Sequence, residues 1–167
     1  MSLDFDSARL PNNALTSEHH EWRAQLRRFF DREVIPYAEE WDENGAIPDE
    51  LWPKSAAVGI LGLGFPEEFG GITEGIDIWH SIILNEEMAR IAVGGIAATL
   101  MVHGIGLPPV INFGSEAIKQ LVAPPVLAGA KRISLAITEP GGGSDVARLQ
   151  TTARLDDDHY VVNGSKT

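Results

Sequence analysis

The hydrophobic pattern of this chain changes character near Gly129, and that change limits the folds open to it. Up to that point apolar residues recur at helical spacings. Beyond it, short β-prone runs are separated by turn signals. Helices and strands are thus segregated rather than alternating, which argues against βαβ winding. The expected fold class is mainly α: an N-terminal all-α helical-bundle domain over 1–129, then the first strands of a β domain over 130–167. A sheet of two or three strands buries little by itself, so the β part reads as incomplete and the chain as truncated.

Thr16 and Ser17 can cap a first helix whose opening turns carry Glu18 and Glu21. Trp22, Leu26, Phe29, Phe30, Ile35, Tyr37 and Trp41 form one apolar stripe, with a kink or brief break expected at Pro36. Asn44-Gly45 closes this segment. A second helix is expected over Ile47–Val58, with Pro48 in its first turn. Gly59–Gly75 reads as a loop pinned to the core by Phe65 and Phe69. A middle helix should span Ile76–Ile91, with Ile76, Trp79, Ile83, Met88 and Ile91 inward and Glu86-Glu87 across its rim. Gly94–Gly106 is small and apolar, suited to close helix packing, and Pro108-Pro109 ends it. Ser115 can cap a last helix running to about Leu127, which Pro124-Pro125 should end or bend. Strands are expected over Ile133–Thr138 and Thr151–Leu155, and from His159 to Val162 after an Asp156–Asp158 turn, before Asn163-Gly164.

Charge and composition remove several function classes. Thirteen basic against 24 acidic residues give a formal net charge of −11, a poor footprint for a nucleic-acid binder. Without cysteine these residues offer no disulfide, Fe–S cluster or thiol nucleophile. Met1–Asp6 lacks the basic-then-apolar pattern of a signal peptide, and no run was expected to reach the roughly 20 apolar residues that span a bilayer. A cytoplasmic location is therefore expected.

The chemically distinctive stretch is Leu135-Ala136-Ile137-Thr138-Glu139-Pro140-Gly141-Gly142-Gly143-Ser144-Asp145. An apolar run stops at a rigid Pro, then come three glycines, a hydroxyl and a carboxylate. Exposed amides beside a Ser can cradle a phosphate. The stretch is neither of two familiar phosphate motifs. It lacks the Gly-Lys-Ser/Thr of a P-loop, and a strand rather than a helix is expected next, unlike a Rossmann fingerprint. An ordinary Gly-rich surface turn is the alternative.

Ala136–Asp145 followed by Thr151, Thr152 and Ala153 closely resembles the flavin-binding signature of acyl-CoA dehydrogenases. Asn163-Gly164-Ser165-Lys166 is similar to that family's next landmark, an Asn-Gly-any-Lys hairpin. Phe65-Pro66-Glu67-Glu68-Phe69-Gly70-Gly71 and Glu86-Glu87-Met88-Ala89-Arg90 agree with its helical part. Gly142 stands where the family usually has Ala, which should loosen the turn but leave its amides available. The resemblance implies that 130–167 opens a β-barrel-like middle domain, with a C-terminal helical domain beyond. It implies FAD as cofactor. Thr138 would hydrogen-bond the flavin's pyrimidine edge, the backbones of Leu135 and Ile137 would contact the isoalloxazine, and Gly143 and Ser144 would approach the pyrophosphate. Ser144 would also border the acyl-CoA channel, whose floor would come partly from Ile76–Gly106. The implied reaction is α,β-dehydrogenation of an acyl-CoA thioester to the trans-2-enoyl-CoA, with an electron-transfer flavoprotein as acceptor and a homo-oligomer, dimer or tetramer, as the full-length form. The family's catalytic base is a glutamate of the C-terminal domain, so none of these residues is assigned a catalytic role and the 167-residue chain alone is expected to be inactive. An acyl-CoA oxidase or flavin-dependent monooxygenase of the same fold, and a non-catalytic helical interaction subunit, are the alternatives.

The remaining polar residues read as structural. His19 and His20 fall on an expected exposed helix start. Asp77 and His80 share a helical face without a further ligand set, so no metal site is expected. Adjacent Glu86 and Glu87 point to different sides and read as solvated or interface residues. Glu139 and Asp145 read as turn and packing residues rather than acids or bases. No Gly-x-Ser-x-Gly elbow is present for ester hydrolysis.

Overall fold

A computed structural model describes residues 3, 5, 6 and 9–167. The opening Met1–Asp6 read for a signal peptide therefore lies partly outside the described residues. The chain forms two compact units, Met1–Ile133 and Ser134–Thr167.

In the first unit the long helix α1 (Ser17–Glu33) is followed by a 3-10 turn at Ile35–Tyr37 and then α2 (Ala38–Asn44). Pro36 gives the expected brief break, and Gly45 ends α2 with a left-handed φ of 62°. Next come α3 (Leu51–Ala57), α4 (Ile78–Met88), α5 (Gly94–Met101), α6 (His103–Gly106), α7 (Pro108–Phe113) and α8 (Glu116–Leu127). Helix α3 is shorter than the expected Ile47–Val58. Helix α4 tightens into a 3-10 turn at Ala89–Ile91. Pro108 begins α7, where its missing N–H costs nothing. Helix α8 continues through Pro124 and Pro125 to Leu127, so the prolines do not end it. Ala123, Val126 and Leu127 bury its last turns against Phe69 and Leu107, and that packing holds them helical.

Gly94–Phe113 is a 20-residue stretch apolar enough, by length and composition, to cross a membrane, which corrects the expectation that no run is long enough. It is divided among α5, α6 and α7. Ile96, Leu100, His103, Gly106 and Leu107 within it are buried in the unit.

The main core gathers Leu26, Phe29, Phe30 and Val34 of the first helical stretch with Ile83, Leu84 and Met88 of α4, and with Ile96 and Leu100 of α5. Helices α1 and α4 lie side by side and run the same way. His19 meets Asp77 at one end, Arg27 meets Glu87 further along, and Asp31 meets Arg90 at the other end. Glu87 is fully buried, which corrects its reading as a solvated rim residue; Glu86 is half-exposed. The helical period places Glu87 on the inward face beside Ile83 and Leu84, and Arg9, Arg23, Arg27 and Arg90 compensate the charge.

The loop before α4 is built by close backbone approaches. Gly64 N–H donates to Ile72 O and Ile72 N–H to Gly62 O, at 2.9 and 2.8 Å. A Cβ on Gly71 would stand 2.0 Å from the Phe65 carbonyl oxygen, so only glycine passes there. Phe69 is buried as expected.

The second unit contains one antiparallel hairpin, β1 (Thr152–Asp156) with β2 (His159–Asn163), pairing Thr152 with Asn163 and Asp156 with His159. Asp157 makes the tight turn with a left-handed φ of 53°. The strand expected over Ile133–Thr138 is not formed; the segment joins no sheet ladder among the described residues. β-propensity alone does not make a strand where no neighbouring strand supplies the ladder.

Candidate functional site

Two polar constellations stand out, one in each unit. In the first, α1 and α4 are capped in the same unusual way. Thr16 N–H donates to His19 Nδ1 at 3.0 Å, and Asp77 N–H donates to His80 Nδ1 at 3.2 Å. In both helices a histidine takes the place of the Glu or Gln that closes a capping box. Because His19 Nδ1 accepts, its Nε2 carries the proton, and that proton goes to Asp77 Oδ1 at 2.9 Å. Asp77 Oδ1 also accepts from Trp79 N–H at 2.9 Å. Burial works against ionisation of Asp77, but its contacts with His80 and His19 outweigh it and hold the pKa at about 2.

His19 is therefore buried, not on an exposed helix start as the sequence suggested. It joins Asp77 and His80 in a group whose potential ligand atoms lie within 4.8 Å of one another, a grouping that could hold a metal ion. Periodicity within α4 showed two of these residues; the third comes from a helix 58 positions earlier. The Nδ1 atoms of His19 and His80 are already engaged by the caps and His19 Nε2 by Asp77, and two helix N-termini meet here, an electropositive setting that disfavours a cation.

The second constellation surrounds Pro140. Glu139 and Gly142 exchange a pair of backbone hydrogen bonds, each 3.0 Å, closing a tight turn over Pro140 and Gly141. Gly142's own amide is thereby used inside the turn. The turn presents Gly141, Gly143 and Ser144 as exposed backbone, followed by a 3-10 turn at Val146–Arg148 that starts from the Asp145 carbonyl. Side chains added at Gly141 or Gly142 would meet nothing within 4 Å. At Gly143 a Cβ would meet only Thr138, with Cγ2 at 3.7 Å and Oγ1 at 3.8 Å. Thr138 and Gly143 are thus brought side by side. Leu135 and Ile137 are 43% and 37% exposed, unusual for apolar residues of a strand-forming segment.

Beneath the turn, Glu139 is buried at 8% exposure. Its carboxylate accepts from Gln150 N–H at 2.7 Å, Thr151 N–H at 2.9 Å and Lys166 Nζ at 3.0 Å. Thr151's hydroxyl first, then those two amides and Lys166, hold its pKa down at about 2. Lys166 Nζ also donates to Ile137 O at 2.8 Å. A carboxylate so committed is no free acid or base, in keeping with the sequence reading of Glu139, yet its part as an anchor was missed. The signal was its partner Lys166, an exposed residue 27 positions away.

Two family models match the chain. That of the acyl-CoA dehydrogenase N-terminal domain covers residues 16–130, and that of the acyl-CoA dehydrogenase middle domain covers 134–167. The chain belongs to the acyl-CoA dehydrogenase family. Among curated relatives, the long-chain specific acyl-CoA dehydrogenase of pig mitochondria is 38% identical over 90% of this chain and 34% of its own length. A crystal structure described as a putative acyl-CoA dehydrogenase from Mycobacterium smegmatis aligns with TM-score 0.84 at 45% identity, over 93% of this chain and 40% of that one. An acyl-CoA dehydrogenase from Bacillus anthracis, solved in complex with FAD, aligns with TM-score 0.78 at 36% identity, over 94% of this chain and 27% of that one.

The chain thus spans roughly a third of the length of the pig protein. The helical bundle followed by a hairpin is the fold of this family's N-terminal and opening middle regions. The cytoplasmic expectation is overturned: the pig, rat and mouse relatives are all mitochondrial proteins. That expectation rested on the lack of a secretory signal pattern, which carries no information about organelles.

Proposed function

We propose that the protein to which these residues belong is an FAD-dependent acyl-CoA dehydrogenase that converts an acyl-CoA thioester to the trans-2-enoyl-CoA. The observation that carries this reading is the stretch Leu135–Ser144, which joins two exposed apolar residues, open glycine backbone and an exposed hydroxyl in one short segment.

The fit to a flavin dinucleotide is chemical. Gly143 and Ser144 offer amides and a hydroxyl to the pyrophosphate, an arrangement suited to phosphate without a lysine. Thr138's hydroxyl is assigned to the pyrimidine edge, and Leu135 and Ile137 supply apolar backbone beside the ring system. Ser144 is also assigned to the border of the acyl-CoA channel. When bound, FAD would supply the hydride-accepting chemistry that the side chains here lack. The chain's own part is to bind and orient, through the tight turn over Pro140 and Gly141 that presents Gly143 and Ser144. The base that removes the α-proton is assigned to a glutamate outside these residues. We further propose an electron-transfer flavoprotein as acceptor and a homo-oligomeric full-length enzyme.

The test is the full-length protein purified without denaturation. Flavin absorbance at about one FAD per subunit, with enoyl-CoA formed from acyl-CoA and an artificial acceptor, supports the reading. Colourless, folded protein that gains no flavin on adding FAD contradicts it.

A further inference from the structure

The turn that carries the candidate phosphate contacts has few internal restraints. Its glycines touch almost nothing, and the Glu139–Gly142 hydrogen-bond pair closes the turn without tying it to the rest of the unit. A loop of three consecutive glycines is intrinsically mobile, and ordering it costs conformational entropy. Something else must fix its direction if its amides are to point at a ligand.

The structure supplies that restraint directly below the turn. Gly164 lets the chain leaving β2 pass against Thr151: its φ is 156°, and a Cβ there would lie 2.2 Å from Thr151 Oγ1 and 2.8 Å from Thr151 Cα. That close passage brings Lys166 under the bend. Lys166 Nζ then bridges the Ile137 carbonyl and the Glu139 carboxylate, while the same carboxylate takes the Gln150 and Thr151 amides where β1 begins. Thr167 N–H adds a bond to the Thr138 carbonyl at 2.9 Å. Three separate stretches, 137–139, 150–151 and 166–167, are therefore tied at one buried carboxylate and one ammonium.

We propose that Glu139 and Lys166 are positioning residues for the cofactor: a clamp on a buried carboxylate that fixes the direction of the Thr138–Ser144 bend before ligand arrives. The proposal rests on the flavin reading above and names residues that the reading itself does not use. Neither side chain needs to touch the flavin. Their effect is pre-organisation, since a loop held in its binding geometry spends less of its contact energy on ordering. The charges suit this task better than apolar packing would, because each hydrogen bond fixes an orientation as well as a distance. Replacing Lys166 by an uncharged residue of similar length leaves the Glu139 carboxylate its two amide donors but removes its counter-ion and the bridge to the Ile137 carbonyl.

The test uses the full-length protein with Glu139→Gln, Lys166→Met, Lys166→Arg and the double variant Glu139→Gln/Lys166→Met. Folding is checked by circular dichroism, flavin affinity by titrating apo-protein with FAD, and order in the bend by amide hydrogen exchange at Gly141–Ser144 in apo-protein. The clamp predicts that each of the first two variants weakens FAD binding about tenfold or more, the scale of a lost charge-assisted hydrogen bond. It predicts that the double variant costs less than the product of the two singles, because the residues act as one unit. Lys166→Arg should retain most of the affinity and the parent flavin absorption band. Exchange at the bend should quicken in apo Glu139→Gln and apo Lys166→Met.

Unchanged exchange at Gly141–Ser144 in folded variants overturns the clamp, as does unchanged FAD affinity in both single variants of a flavin-binding parent. If the parent binds no flavin, the cofactor reading falls, and the exchange measurement alone decides whether the clamp orders the bend. If Glu139→Gln fails to fold, Lys166→Met and its Arg counterpart carry the same decision.

Discussion

Arg27 grips Glu87 with both prongs of its guanidinium: Nε lies 2.9 Å from Oε2 and Nη2 lies 2.8 Å from Oε1. Arg23 adds 3.1 Å to Oε1, and Arg90 adds 3.4 Å to Oε2. Arg27 and Arg90 also hold Asp6 and Asp31, so the buried carboxylate anchors a network reaching the start of the chain. Burial opposes ionisation of Glu87, but the arginines outweigh it and keep its pKa below the ordinary 4.5.

Removing one partner of a buried pair leaves a stranded charge. Glu87→Gln should therefore lower the unfolding free energy by about 3–5 kcal/mol, because the four arginines paired with it lose their common counter-ion at a buried position. Urea denaturation of the variant beside the parent checks this. A loss under about 1 kcal/mol would place the pair among weak surface bridges instead.

Asp77 gives a pH signature. Its folded pKa is depressed to about 2 from 3.8, so its contribution to stability is present above 3.8 and is lost as pH falls toward 2. Asp77→Asn should keep the cap while flattening the acid slope of stability across that window, read from thermal melts at stepped pH. Zinc added to the parent near neutral pH should leave the melting temperature unmoved, since both His19 nitrogens and His80 Nδ1 are already hydrogen-bonded.

Two glycines should behave in opposite ways. Gly71→Ala drives a methyl into the Phe65 backbone and should destabilise by about 1–3 kcal/mol, the scale of overpacking. Gly141→Ala meets open space and should leave the melting temperature within about a degree or two, a surface-level effect. Thermal unfolding of both variants, side by side, decides it.

The helical part was largely legible because its signals are local. The stripe from Trp22 to Trp41, the break at Pro36 and the Ser115 cap are read within a few residues, and the structure keeps them. What failed was decided by partners distant in sequence. Glu87 looks like a solvated rim residue until Arg23 and Arg27 are seen across from it, and His19 looks exposed until Asp77 arrives beside it. Pro124 and Pro125 look like helix breakers, but the contacts of Val126 and Leu127 with Phe69 and Leu107 hold α8 together. The Ile133–Thr138 stretch has strand composition without a strand beside it. At the candidate site the glycine turn was plain from the residues, whereas the Glu139–Lys166 tie beneath it joins positions that no local pattern connects.

The most direct measurement is FAD occupancy of the full-length protein after Thr138→Ala and Ser144→Ala are combined. Loss of two ligand hydrogen bonds should weaken the cofactor about tenfold or more, leaving the purified variant visibly depleted of flavin while its circular dichroism matches the parent. A folded variant with the parent's full flavin content would contradict the assignment of the Pro140 bend to the flavin.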